Sequence, residues 1–212
     1  MAITTYTELK TAVASWLNRS DLTDNIPDFI NFAEKQLDRE LPALGTDAST
    51  TVSTVAGTQT ASLPSDYKGF RVIRLTYSGA DYVLDYIPTA VGDRQHFKQS
   101  GRPAFFSITS ASGTSKIKLF PSPDAVYTIT VEYLASPTQM SASTANNLWI
   151  DKYPDLLLYA TLMNAEPFIM NDERLAVWSS AYAKLIDQIK LSEEDKRFGT
   201  GGSLTYTIRG AT

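Results

Sequence analysis

The chain has 212 residues, 43% of them apolar and 20% charged, with 19 basic side chains against 23 acidic, one histidine and no cysteine. That length and apolar content are enough for one or two domains with a real core, while the missing cysteine excludes disulfides, thiolate nucleophiles, zinc-cysteine clusters and iron-sulfur centres. The single His96 excludes His-His metal sites and leaves one imidazole for acid-base work, and a net charge of -4 argues against a broad DNA-gripping face.

Residues 1–6 have neither the basic nor the apolar region of a secretory signal, and no apolar run approaches the ~20 residues of a membrane span. The chain is therefore expected to be cytosolic when made and to have no membrane partner. Its charge divides it into three regions: residues 1–49 carry 4 basic and 8 acidic groups, 50–139 carry 8 and 6, and 140–212 carry 7 and 9.

The first region reads as two helices. Thr5 and Glu8 form a capping box, followed by Leu9, Val13, Trp16 and Leu17 on one face. After the polar break at 18–21, Ile26, Phe29, Ile30, Ala33, Leu37 and Leu41 keep helical spacing until Pro42 and Gly45. These residues predict a helical hairpin with Trp16 in its core.

From about Thr50 the period changes to two. Val52 and Val55, then residues 59–63, predict a short hairpin around Ala56-Gly57. Residues 70–77 and 82–87 flank Ser78-Gly79-Ala80-Asp81 and predict a second hairpin. Pro88 ends that run, 89–97 is expected to be a short helix or ordered loop, and 105–109, 116–120 and 126–134 read as three more strands. Six or seven strands in this space predict a small antiparallel sandwich or barrel.

Residues 136–147 are polar and unpatterned, which predicts a linker. Pro154 then opens a helix that is apolar on nearly all sides, predicting burial by several neighbours, with Pro167 kinking or ending it. Asn171-Asp172-Glu173 is expected to cap a last helix whose stripe is Leu175, Trp178, Tyr182, Leu185, Ile186 and Ile189. The fold class that results is α+β: a four-helix bundle from the N- and C-terminal helix pairs (1–49 and 140–198), an inserted antiparallel β-sandwich or barrel (50–139), and an extended C-terminal tail (199–212).

That tail combines a hinge with a strand. Gly199, Gly201 and Gly202 supply the flexible part, and Leu204, Thr205, Tyr206, Thr207, Ile208 and Arg209 alternate apolar with polar. The pattern predicts strand addition to a sheet of another subunit or another protein. A disordered terminus is the plainer alternative.

The catalytic options are thin. His96 has Asp93 a helical turn away but no nucleophile elbow in the sequence. Glycoside hydrolysis needs two carboxylates across a cleft, whereas Asp24 with Asp28 and Glu193 with Glu194 read as helix-end charges. The glycines after 198 lack the Lys-Ser/Thr of a phosphate loop.

The order of motifs is more informative. Leu63-Pro64-Ser65-Asp66-Tyr67 leads into a strand. Gly101-Arg102-Pro103-Ala104-Phe105 and Ile117-Lys118-Leu119-Phe120-Pro121-Ser122-Pro123 follow, then a strand containing Tyr133 and Trp149-Ile150-Asp151-Lys152-Tyr153-Pro154. Over nearly the whole chain this resembles the head-to-tail adaptor (connector) proteins of tailed bacteriophages, the short-tailed, tail tubular A-like type above all.

The resemblance implies a structural virion protein, made in the host cytoplasm and placed at the head-to-tail interface. It would form a ring, usually twelve-fold, between the portal protein and the tail nozzle or next tail component, with double-stranded DNA passing through the lumen without specific binding. It further implies that the helical part packs on neighbours and portal, that the β domain faces outward or toward the tail, and that the C-terminal tail reaches the portal. It brings no catalytic residue, cofactor or metal. The alternatives are a virion-associated glycan (cell-wall) hydrolase and a carbohydrate- or receptor-binding β module.

Overall fold

A computed structural model describes residues 2–42, 44–96, 98–111, 113–170 and 173–198. They fall into two compact units, one built from the residues up to Leu44 together with those from Thr138 onward, the other from Gly45–Pro137.

In the helical unit, α1 (Tyr6–Leu17) begins at the expected capping box. The Thr5 hydroxyl accepts from the Glu8 N–H and the Glu8 carboxylate from the Thr5 N–H, which satisfies two otherwise orphaned donors. Asn18 ends the helix in the left-handed region at φ 54°. Helix α2 (Ile26–Glu40) follows, with Pro27 in its first turn.

After the β unit, which contains α3 (Thr89–Gln95), the chain returns through residues 138–147 to α4 (Leu148–Lys152), α5 (Pro154–Ile169) and α6 (Leu175–Phe198). Asn147 caps α4, its side-chain oxygen accepting from the Trp149 and Ile150 N–H groups.

Helix α5 lies at the centre. Leu156, Leu157, Leu158, Ala160, Leu162 and Ala165 are buried, and α1, α2, α4 and α6 all pack against it. Its all-round apolar sequence is thus used up inside its own unit rather than against another subunit. Pro167 sits inside the helix, which continues to Ile169.

Trp149 and Trp178 join this core, but Trp16 does not: it is 43% exposed, packed edge-on against Tyr159 at the last turn of α1. The expectation that Trp16 is core is corrected. Leu17, one residue nearer the helix end, is the side chain of this last turn that the core takes in.

The β unit is two four-stranded sheets with one core between them. The first has the order β1 (Thr46–Ser53), β8 (Thr128–Ala135), β3 (Tyr67–Tyr77), β4 (Ala80–Val83). The second has β2 (Thr60–Ser62), β7 (Thr114–Phe120), β6 (Phe105–Ala111), β5 (Asp85–Tyr86). Ile73, Leu75, Ile129 and Val131 from the first sheet meet Phe106, Ile117 and Leu119 from the second. Helix α3 (Thr89–Gln95) packs on β6 and β7.

Three expectations change here. The turn at Ala56-Gly57 is present, with a Val55–Thr58 bridge, yet β1 and β2 enter different sheets and do not form a hairpin ladder. The run 82–87 divides at Leu84, so that β4 completes one sheet and β5 joins the other. And β5 lies parallel to β6, so the second sheet is mixed rather than antiparallel.

Candidate assembly surfaces

Two polar features shape the helical unit. On α2, Glu34 is only 3% exposed. Its carboxylate accepts the Met140 N–H at 3.2 Å and the Asn147 Nδ2 at 2.6 Å, and Asn147 Nδ2 also donates to the Thr138 carbonyl at 2.7 Å. Residues 138–147, expected to be a linker, are therefore fastened to α2, and Met140 is buried with the core. Burial pushes the Glu34 carboxyl above the ordinary value, against the opposing pull of its two donors.

Two residues further along α2, Gln36 accepts from Asn164 Nδ2 at 2.9 Å and donates to Glu40 at 2.8 Å. The Tyr182 hydroxyl donates to Glu40 at 2.8 Å, which ties α2 to α5 and α6. Burial and the Glu40 carboxylate both hold the Tyr182 hydroxyl above the usual phenol range.

One end of this unit is apolar on the outside. Phe168, at the end of α5, lies 5.8 Å from Phe29 at the start of α2, and Met170 beside it is 80% exposed. At the same end Arg174 donates to the Trp16 carbonyl at 2.7 Å and lies over the Trp178 ring, one turn before the exposed Val177. Trp16, Phe168, Met170 and Val177 are thus large apolar side chains left exposed on this unit, a kind of surface that contact sites use.

The β unit has two aromatic clusters. Phe70 and Tyr86 stack with ring centroids 5.7 Å apart, beside a cavity of about 120 Å³ between Val72, Val83 and Phe106. Tyr77 and Tyr82 lie under the Arg102 guanidinium, at 5.4 and 4.5 Å.

His96 sits beside Gln99 and Phe105. Its Nδ1 is 3.0 Å from the Gln99 side-chain oxygen and its ring rests against Phe105, while Asp93 accepts from Lys118 at 2.5 Å. The open groove alongside, about 500 Å³, has Asp93 as the one carboxylate among its described lining residues. Asp24 and Asp28 are exposed around the start of α2.

Among the described residues, no group of three or more His, Asp or Glu side chains is placed to hold a metal ion, and no helix is long and apolar enough to cross a membrane. The predicted hinge Gly199, Gly201 and Gly202, the predicted strand 204–209 and the cap at 171–172 lie outside the described residues.

A helical unit interrupted by an inserted β unit, with large apolar side chains exposed at one end of the helical unit, suits contact with other chains. Comparison with family models agrees: the SU10 adaptor protein model matches residues 4–204. The chain belongs to the SU10 adaptor protein family. These are phage head-tail adaptors, so the chain is a virion component. A search of curated proteins gave no match. Sequence reasoning missed Glu34 as the fastening point of this adaptor, although a signal was present: position 34 falls four residues after Ile30 and three before Leu37, on the apolar stripe of α2.

Proposed function

We propose that this adaptor has a structural, non-enzymatic role. Its subunits form a ring, twelve-fold as in the adaptors it resembles, between the portal protein and the tail nozzle or next tail component, and the double-stranded genome passes through the lumen. In this reading the N- and C-terminal helix pairs work as a four-helix bundle that carries the subunit contacts. The observation that supports it most directly is the exposed apolar end of the helical unit, since a ring subunit must offer different surfaces to its two neighbours. The mild negative charge suits a lumen through which DNA slides without being held.

The tail belongs to the same proposal. Gly199, Gly201 and Gly202 act as the hinge, and Leu204, Thr205, Tyr206, Thr207, Ile208 and Arg209 dock as a strand on the portal or on a neighbouring subunit. Native mass spectrometry and negative-stain imaging, of the protein alone and mixed with its portal, test both parts. A ring, formed alone or only on the portal, is expected, and deletion of residues 199–212 should weaken that assembly while the remainder stays folded. A persistent monomer, or one that cleaves peptidoglycan, overturns the reading.

The carbohydrate- or receptor-binding alternative has one observation in its favour, the exposed Phe70–Tyr86 stack. Saturable binding of a cell-surface glycan by the monomer, lost in Tyr86→Ala, would move the assignment to it.

A further inference from the structure

The strand β4 is the outer edge of the first sheet. Tyr77 and Ala80 close a two-residue turn whose Ser78 and Gly79 both have positive φ, 53° and 78°, the turn that matches strand twist. The Leu84 N–H donates to the Ile73 carbonyl at 2.9 Å, so Ile73–Leu84, Leu75–Tyr82 and Tyr77–Ala80 are the hydrogen-bonded pairs. Antiparallel alternation then turns the N–H and C=O groups of Asp81 and Val83 away from β3. No strand among the described residues lies on that side. Edge strands in soluble proteins are usually protected by lysine, proline or a bulge. Ala80-Asp81-Tyr82-Val83 is short but has no lysine, proline or bulge; its one charged side chain, Asp81, is engaged by the Thr76 hydroxyl, and all four residues are exposed.

The second observation is Arg102. Its guanidinium is positioned by the Tyr77 and Tyr82 rings, and no carboxylate of the described residues lies within ion-pair distance of it. The two arginines on β3 differ: Arg71 pairs with Asp47 and Arg74 with Glu132. A planar fork held in place with its donors unused fits a carboxylate, which it can bind through two parallel hydrogen bonds.

We propose that the β4 edge takes up an extended segment of another protein chain, which adds a fifth strand beside β4 and places a carboxylate against Arg102. The register identifies the acidic position. Leu75 is buried and pairs with Tyr82, so Tyr82 projects to the same side of the sheet as Leu75, the side on which Arg102 lies. The residue of an added antiparallel strand opposite Tyr82 projects to that side too. Because Tyr82 already bonds β3, this new pair is the close, non-hydrogen-bonded kind, with Cα atoms about 4.5 Å apart. An aspartate or glutamate there meets the guanidinium, while the neighbouring residues bond Asp81 and Val83. The adaptor's own residues 204–209 contain no carboxylate, so the charge points to a different protein. Docking of this kind does not require ring formation and stands if the ring reading fails.

The test uses the full chain labelled with 15N and three probes: a nine-residue peptide of alternating threonine and valine with a central glutamate, the same peptide with glutamine, and a 20-base-pair DNA duplex. The glutamate peptide is expected to shift the Asp81 and Val83 amide resonances. Replacing its glutamate with glutamine, or Arg102→Gln in the protein, should each weaken binding at least tenfold. Val83→Pro, which deletes an outward N–H that β3 does not use, should reduce binding while strand-type circular dichroism is retained. Equal binding of the two peptides, no movement of those amides, displacement of the glutamate peptide by the duplex, or equally tight binding by a peptide of residues 203–210 overturns the proposal.

Discussion

Glu34 is a carboxylate in the apolar stripe of a helix, and its cost is offset only by what it holds. Removing it in Glu34→Ala leaves the Met140 N–H buried without its acceptor and deprives Asn147 of one of its two, a loss of about 1–3 kcal/mol for such groups. Thermal or urea unfolding measures it. The wild-type contribution also depends on pH. Because burial raises the Glu34 carboxyl above its ordinary value of 4.5, the folded protein keeps a proton there that the unfolded chain has released. That stability is full below the unfolded value and is lost as pH rises through the folded one, at no more than about 1.4 kcal/mol per pH unit. The stability of wild type relative to Glu34→Gln is therefore expected to fall as pH is raised from 4 toward 8; a flat difference shows that the raised titration is absent. Trp16 teaches the complementary lesson: its spacing put it on the right face of α1, but exposure near a helix end depends on what stands beyond, which periodicity does not contain.

Among the elements, helices were readable because their signals are local: the Thr5–Glu8 box, the 3.6 period of α2, Pro154 at the start of α5. Strands were readable as strands for the same reason, and the Ser78-Gly79 turn fixed the tight β3–β4 hairpin. Partner choice was not. The period-two pattern of 50–63 says that these residues alternate, but whether β1 pairs with β2 or with β8, more than 70 residues away, is decided by which faces must be buried together. The division of 82–87 at Leu84 is similar, since a strand passing from one sheet to the other leaves no change in composition. Close packing of α3 was equally silent in the sequence. A Cβ at Gly92 would lie 2.5 Å from the Phe120 ring, which is fully buried, whereas one at Gly69 meets nothing within 4 Å. Gly92→Ala is expected to destabilise the β unit by about 1–3 kcal/mol, as overpacked cores do, and Gly69→Ala far less; equal melting temperatures for the two variants would falsify the packing argument.

For the molecule as a whole, the arrangement of a β unit within a helical one sets what can be separated. Thr46, opening β1, pairs with Ala135, closing β8, so the two ends of the insertion are adjacent strand partners a few ångströms apart. The two cores are also distinct sets of residues, one carried by the helices and their connecting segments, Leu22, Leu41, Leu44 and Met140 among them, the other by the strands and the loops between them. A unit with its own core and neighbouring ends can be removed or isolated without leaving a gap that the chain cannot span. Residues 45–137 expressed alone should therefore unfold cooperatively with strand-type circular dichroism. The full chain with 45–137 replaced by six glycine and serine residues should keep its helices and the Glu34–Asn147 attachment. In that shortened protein Val177→Asp, on the exposed apolar end, should leave the melting temperature within about 0.5 kcal/mol of stability of its parent, as surface changes do. In the intact adaptor the same substitution should abolish the proposed ring, with native mass spectrometry as the readout. Retention of the ring in Val177→Asp would transfer the subunit contact to another surface, and failure of the shortened protein to fold would mean that the helical core depends on the β unit despite its separate set of residues.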